Sequence, residues 1–467
     1  MLRPKAAPAV SLPDAARHVP ASRLGGPLVR GALRGLSLAS GDVRPGDLFI
    51  ALPGATTHGA RYAGSALAAG ALAVLTDEAG AALLNPETPR IVAENPRAKL
   101  GEFAAWFYGY PARRLKLVGV TGTNGKTSTA HLVEAALAAG FGKVALLGTI
   151  SSRIDGEEMP SARTTLEAPP LQAAFAAMVE RGVSACVMEV SSHALAQHRV
   201  DGFRFDVAAF TNLSRDHLDY HGSMERYFEA KAALFTPAHA RRGVINLEDH
   251  WGRRLAAEAS IEVETLATQP PADWVIRAAN RGQLATPFQL VGPGGLQVAA
   301  EVHQPGHYNL ANAALALVSA MEAGVGGSQA AAAISALRAV PGRMEVVTAG
   351  VGAPSDDPGD AAREPGGQPA VVVDYAHAPD AIAKVLAALR PVTEGKLIVV
   401  LGAGGDRDHG KRELMGANAA AGADLVIITD DNPRGEDPAA IRAALLAGAG
   451  AGAREVADRA DGIGQAI

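Results

Sequence analysis

Val118-Gly-Val-Thr-Gly-Thr-Asn-Gly-Lys-Thr-Ser-Thr129 is the stretch whose reading decides the fold. Leu115 to Val120 is an apolar run rich in branched residues, and from Thr127 to Gly140 the spacing turns helical. The order is strand, phosphate loop, helix. Gly122 and Gly125 let the backbone approach phosphate oxygens, Lys126 brings a positive charge to the terminal phosphates, and Thr127 offers a hydroxyl to magnesium. Thr123, Asn124 and Ser128 complete this nucleotide-binding run. The common phosphate-loop pattern has glycine where this chain has Val120, so a chance match is the competing reading.

Gly122-Thr-Asn-Gly-Lys-Thr127 after a strand resembles the loop of the Mur ligase family, ATP-dependent enzymes that add amino acids to the muramoyl peptide of cell-wall precursors. Folylpolyglutamate synthetases share it. A phosphate-loop kinase and a nucleotide-binding module without turnover are the other readings that the loop alone permits.

Length and composition bound what surrounds the loop. A chain of 467 residues is long enough for about three domains, each with its own core. Hydrophobic content of 48% suits a globular protein, and no apolar run is long enough to span a bilayer. Prolines among the first eight residues argue against a secretion signal. Cys186 is the only cysteine, so an internal disulfide is excluded and a reducing, cytoplasmic location is expected. A net charge of -5, with Arg113-Arg-Leu-Lys116 the nearest thing to a basic cluster, disfavours nucleic-acid binding. A monomer is expected.

The expected fold is α/β in three domains. Residues 1–112 form a small α/β domain whose first 35 residues read as a mobile extension, 113–340 form a phosphate-loop domain with a mainly parallel sheet, and 341–467 form a Rossmann-like domain. In the first, Asp47-Leu-Phe-Ile-Ala-Leu52 and Leu72 to Leu75 read as strands. Leu38-Ala-Ser-Gly-Asp-Val-Arg-Pro-Gly-Asp-Leu-Phe49 resembles the family's uridine-diphosphate signature, which implies substrate contacts from Leu38 and Ser40. Ala39 and Gly41 depart from that signature, and Pro45-Gly46-Asp47 alone reads as an ordinary turn.

In the central domain, strands Leu115–Val120, Val144–Gly148, Ala185–Val190 and Val207–Thr211 alternate with helices, which implies parallel pairing with ligands beyond the strands' carboxyl ends. Glu189 ends one strand, where its carboxylate could complete a magnesium site with Thr127 or simply be solvated. His217 and His221 lie four apart, but no glutamate follows the first, so a zinc protease is disfavoured. Asn212 to His221 resembles the Mur ligases, which implies a second magnesium at His217; His221 is assigned no role. Ser223 can cap a helix on which Tyr227, Lys231, Leu234 and Phe235 share one face. Read alone, Lys231 is a snorkelling lysine or a neutral, nucleophilic amine. The resemblance implies that it is carbamylated and bridges to magnesium. It also implies that Thr164, Thr165, Ser191, Gln197 and Arg199 hold the UDP-N-acetylmuramoyl dipeptide, and a guanidinium such as Arg199 can clamp carboxylates or phosphates.

Asn309 reads either as a helix cap or, by resemblance, as a residue near adenine. Arg343 would face the phosphates, and Asp374 with His377 would lie at the ATP site. A run of Gly, Pro, Asp and Ala between Ala349 and Pro369 reads as a flexible surface loop. Gly402-Ala-Gly-Gly lacks the third glycine of a dinucleotide site. The resemblance places Arg407 and Asp431-Asn432-Pro433-Arg434 at the incoming amino acid, where Arg434 favours meso-diaminopimelate over lysine because of its second carboxylate. Family members continue to a Gly-Lys-Gly-His-Glu segment beyond Ile467, so the chain is expected to lack its last segment, to keep ATP and dipeptide binding, and to add diaminopimelate poorly.

Overall fold

The computed structural model describes residues 2–54, 56–160, 163–278, 285–347, 369–406 and 408–467. The loop expected between Ala349 and Pro369, Pro369 itself excepted, and Arg407 lie outside the described residues. Among the described residues no helix is long and apolar enough to cross a membrane.

The first sheet has the order Ser22–Gly25, Arg90–Ala93, Ala73–Thr76, Asp47–Ala51, Gly35–Ser37, and only the Ser22–Gly25 edge is antiparallel. Its parallel strands are buried runs such as Leu48, Ile50 and Leu75, covered by Phe103 and Phe107 of the helix Pro96–Phe107.

Residues 1 to 35 are not a featureless extension. Ser11 caps a helix over Leu12–Arg17, and Ser22–Gly25 is the sheet edge. Ahead of them, Arg3 forks onto Asp47 at 2.6 and 2.7 Å, and the backbone N–H groups of Lys5 and Ala6 donate to Glu180 at 2.7 and 2.8 Å. Leu2 packs against the central core. The segment therefore straps the first sheet to the helix Ala168–Glu180.

The central sheet has eleven strands. Those expected from the sequence appear as Lys116–Thr121, Val144–Leu147, Ala185–Glu189 and Phe205–Phe210, all parallel to their neighbours within this group. Ala240–Asn246, Glu262–Ala267 and Trp274–Ala278 extend the parallel run. Antiparallel pairs then close both sides: Ser151–Ile154 with Glu157–Pro160, and Thr286–Val291 with Gln297–Val302. The phosphate-loop strand is central, buried by Leu132, Val133, Ala136 and Leu137 on one face. On the other, Phe205 and Phe203 meet edge to face at 5.1 Å and Phe203 meets Phe175 at 5.2 Å. Cys186 is free and buried.

The last sheet is parallel, in the order Ile398–Leu401, Leu425–Ile428, Arg454–Glu455, and Glu345–Val347 pairs with Val371–Val373 as a separate antiparallel ribbon.

The strap makes a stability prediction. Asp47 is 1% exposed, so removing its guanidinium partner leaves a buried carboxylate whose remaining hydrogen bond among the described residues is from the Arg44 N–H at 2.9 Å. Arg3→Ala should cost about 3 kcal/mol of stability, read as a lower midpoint in urea; an unchanged midpoint would show that the strap bears no load.

Candidate active site

At the carboxyl end of the central strand the chain turns at Gly122, whose φ is +144°, and enters the helix Lys126–Phe141 through Gly125 at +87°. A Cβ on Gly122 would lie 1.8 Å from Thr211 Oγ1, and one on Gly125 would lie 2.5 Å from Asn312 Oδ1. Both positions demand glycine. The loop is held from the next strand: Asn212 Oδ1 accepts from the Asn124 N–H at 3.0 Å, and Asn212 O accepts from the Thr123 N–H at 2.8 Å.

Two amines meet on one acceptor there. Lys126 Nζ donates to the Gly122 carbonyl at 2.9 Å and to that of Thr123 at 2.9 Å, and Lys231 Nζ donates to Gly122 at 2.8 Å. Lys231 is 1% exposed, on the helix Met224–Ala232 that Ser223 caps as expected. Burial, with Lys126 repelling it, pushes Lys231 well below the usual lysine range, and Asp216 only partly opposes this. Burial also lowers Lys126. Tyr227, one turn before Lys231, lies under its amine at 4.8 Å and bonds Thr123 Oγ1 at 3.1 Å.

Thr127 Oγ1 donates to Glu189 Oε1 at 3.0 Å and accepts from Arg343 Nη2 at 3.1 Å. Glu189 also accepts from Thr149, through its N–H at 2.9 Å and its hydroxyl at 2.8 Å. Among the described residues no three His, Cys, Asp or Glu side chains form a ready metal cage. The hydroxyl of Thr127 and the carboxylate of Glu189 are nevertheless the hard oxygen donors that suit a magnesium ion already carrying phosphate oxygens.

The backbone of Glu189 joins a second network. Its carbonyl accepts from Thr165 Oγ1 at 2.9 Å, and Thr165 Oγ1 accepts from the Ser191 N–H at 3.0 Å. Arg199 is 8% exposed; it donates to Thr165 O at 3.0 Å, to Gln197 Oε1 at 2.6 Å, and pairs with Glu167 at 3.1 Å. Thr164 Oγ1 lies 3.1 Å from Thr149 Oγ1, which ties it to the same carboxylate. Thr164, Thr165, Ser191, Gln197 and Arg199 are thus one hydrogen-bonded group. Leu38 and Ser40 lie apart, after the strand Gly35–Ser37 of the first sheet, and among the described residues no hydrogen bond joins them to it.

His217 precedes the short helix Leu218–His221 with φ +54°, and its ring meets His193 edge to face at 4.9 Å. Burial lowers it to about 4, with His193 and Lys126 adding to this against the pull of Asp216, so the imidazole is neutral at pH 7. His221 bonds Ser192 Oγ at 2.9 Å, and burial lowers it to about 4.

Asn309 is not a helix cap. The cap position of His307–Glu322 is Gly306, and the Asn309 side chain, within the first turn, donates to Pro305 O at 2.9 Å. Asp374 accepts from the N–H groups of Met344 and Ala376 at 2.9 and 2.8 Å, and burial raises its carboxyl above the ordinary range. Burial raises the Asp216 carboxyl, but His217, His377 and Lys411 outweigh it and hold it low, so the last part of the chain faces this site. Asp431 pairs with Arg459 at 2.6 Å, and Arg434 donates to the Gly405 carbonyl. Thr149, Tyr227, Asp216 and Lys411 were not singled out from the sequence as site residues; Tyr227, four before Lys231 on the same face, and Asp216, within the stretch Asn212 to His221, left a signal.

Comparison with known proteins agrees with this geometry. Residues 32–108 match the family model described as Mur ligase family, catalytic domain, residues 120–320 the Mur ligase middle domain, and residues 360–467 the Mur ligase, glutamate ligase domain. A UDP-N-acetylmuramoyl-L-alanyl-D-glutamate–2,6-diaminopimelate ligase of Streptomyces coelicolor is 48% identical over 421 residues, covering 89% of this chain and 80% of the relative. A UDP-N-acetylmuramyl-tripeptide synthetase of Leifsonia xyli is 47% identical, covering 90% and 81%. A solved structure of a UDP-N-acetylmuramoyl-L-alanyl-D-glutamate–2,6-diaminopimelate ligase superposes with a TM-score of 0.67 at 34% identity, covering 97% of this chain and 90% of that one. A folylpolyglutamate synthase of Mycobacterium tuberculosis, at 21% identity and a TM-score of 0.63, shares the fold over 80% of this chain and 87% of its own. The chain belongs to the Mur ligase family.

Proposed function

We propose that this protein is the ATP-dependent ligase that joins meso-diaminopimelate to UDP-N-acetylmuramoyl-L-alanyl-D-glutamate, acting as a cytosolic monomer with domains dividing near residues 112 and 340. One observation carries the reading: Glu189 holds Thr127 of the phosphate loop with its carboxylate and Thr165 of the Arg199 group with its carbonyl. A phosphoryl donor on one side and a carboxylate on the other would meet at this residue.

In the proposed reaction a carboxylate oxygen of the dipeptide attacks the terminal phosphorus of ATP and ADP leaves, giving an acyl phosphate. The amine of diaminopimelate then attacks the carbonyl carbon, phosphate leaves, and the amine nitrogen gives up its proton. Gly122 to Ser128 cradle the phosphates, Lys126 and Arg343 balance their charge, and Asn309 and Asp374 line the nucleotide's place. Arg199 with Gln197, Ser191, Thr164 and Thr165 holds the muramoyl dipeptide, and Leu38 and Ser40 hold its uridine end. Thr127, Glu189, His217 and a carbamylated Lys231 would hold magnesium, which when bound supplies charge neutralisation for the transferring phosphoryl group. Neutral Lys231 is the form that reacts with carbon dioxide, and neutral His217 is the form that ligates a metal. Arg407 and Asp431-Asn432-Pro433-Arg434 receive the incoming amino acid.

Lys231→Ala should lower turnover by about a hundredfold or more, and added short carboxylates should restore part of it by replacing the missing ligand; an alanine variant of full activity would refute the role. Diaminopimelate carries a second carboxylate for Arg434, so Arg434→Ala should weaken its use by about 2 to 5 kcal/mol while the KM for ATP stays put. Phosphate release measured with a panel of amino acids tests both this and the reaction class. Equal turnover of lysine and diaminopimelate by the unaltered chain would contradict the assignment.

A further inference from the structure

Two loops of the last sheet lie face to face behind Arg434. One follows Ile398–Leu401 and runs through Gly404 to Asp406; the other follows Leu425–Ile428 and runs from Asp430 to Glu436. The Gly405 N–H donates to Asn432 O at 2.9 Å, and a Cβ on Gly405 would lie 1.9 Å from Pro433 O. The Gly435 N–H donates to Asp406 Oδ2 at 2.9 Å. Asp406 and Arg434 both hold left-handed backbone, with φ of +52° and +50°, a conformation that side chains disfavour and that surrounding contacts must enforce.

A crossed ion pair bridges the two loops. Arg412, from the helix Lys411–Gly422, is 4% exposed and forks onto Glu436 through Nη1 to Oε2 at 2.9 Å and Nη2 to Oε1 at 2.7 Å. Its Nη2 also reaches Gly404 O at 3.4 Å, and Glu436 accepts from the Asp406 N–H. Each member therefore grips the loop that carries the other's partner. Among the described residues Arg412 Nε is buried without a partner, so the guanidinium is aimed to satisfy the fork rather than all of its own donors. Arg412 holds the Glu436 carboxyl down to about 2, with the Asp406 N–H and His409 adding to this, and the pair stays ionised throughout the neutral range.

We propose that the Arg412–Glu436 pair is a positioning device for the incoming amino acid: it fixes the left-handed turn at Arg434 and so sets where that guanidinium meets a carboxylate. This rests on the reading of Arg434 given above. Neither residue need touch substrate; both act through the loops. Lysine at 412 would keep the charge but cannot fork onto both oxygens, so it separates geometry from electrostatics.

The test uses the full chain after diaminopimelate-dependent phosphate release has been established for the unaltered protein, so that failure of the functional reading is seen first and separately. Arg412→Lys and Glu436→Gln should each raise the KM for diaminopimelate by about ten- to a hundredfold, leave the KM values for ATP and the muramoyl dipeptide within about twofold, and combine non-additively. Folded variants with an unchanged diaminopimelate KM, or with all three KM values rising together, would overturn the proposal. If either of those variants does not fold, Glu436→Asp, which keeps the charge and withdraws it by one methylene, decides in the same way: a selective rise supports the device and no rise overturns it.

Discussion

Two amines on one carbonyl oxygen are the constraint around which the centre of this structure is arranged. Lys126 and Lys231 both donate to Gly122 O, at 2.9 and 2.8 Å. Two ammonium groups so close repel, and the one without solvent gives way: Lys231, fully buried, is driven towards the neutral amine. The geometry depends on Gly122, since a side chain there would collide with Thr211, and on Tyr227, which fills the space beneath Lys231 and ties its helix to Thr123. What the sequence presents as a lysine interrupting an apolar face is, in the fold, a second amine brought to the phosphate loop from a distant helix.

Glu189 distributes this site between two networks. Its carboxylate is taken up by Thr127 and Thr149, and its backbone by Thr165, so the phosphate loop and the Arg199 group are held by one residue. Asp216 does the same towards the last part of the chain, through the charges of His377 and Lys411. Residues from separate sheets therefore act on the same few ångströms, and the Arg3 strap holds the first sheet against the central helix on another side.

The elements that were legible in the sequence are those with local causes. The phosphate-loop strand and helix follow from a change of period across two glycines, and Ser223 caps the Lys231 helix because its hydroxyl reaches the Arg226 N–H at 3.2 Å. Thr286–Val291 and Gln297–Val302 alternate buried with more exposed positions, the period-two signal of a half-buried strand. The strap was unreadable because its partners are 44 and 174 residues away in sequence. Asn309 shows the opposite failure: its type suits a cap, yet Gly306 with φ +102° takes that position and moves Asn309 into the helix. Thr149 was missed as a partner of Glu189 for the same reason as the strap, since nothing near either residue announces the other.

The proposed role of Lys231 requires a neutral amine competent to form a carbamate. Carbon-13 NMR of the protein equilibrated with carbon-13 bicarbonate reads that species. One carbamate carbonyl resonance, absent from Lys231→Ala, is expected. No carbamate resonance at any bicarbonate concentration, or one that survives in Lys231→Ala, would contradict it.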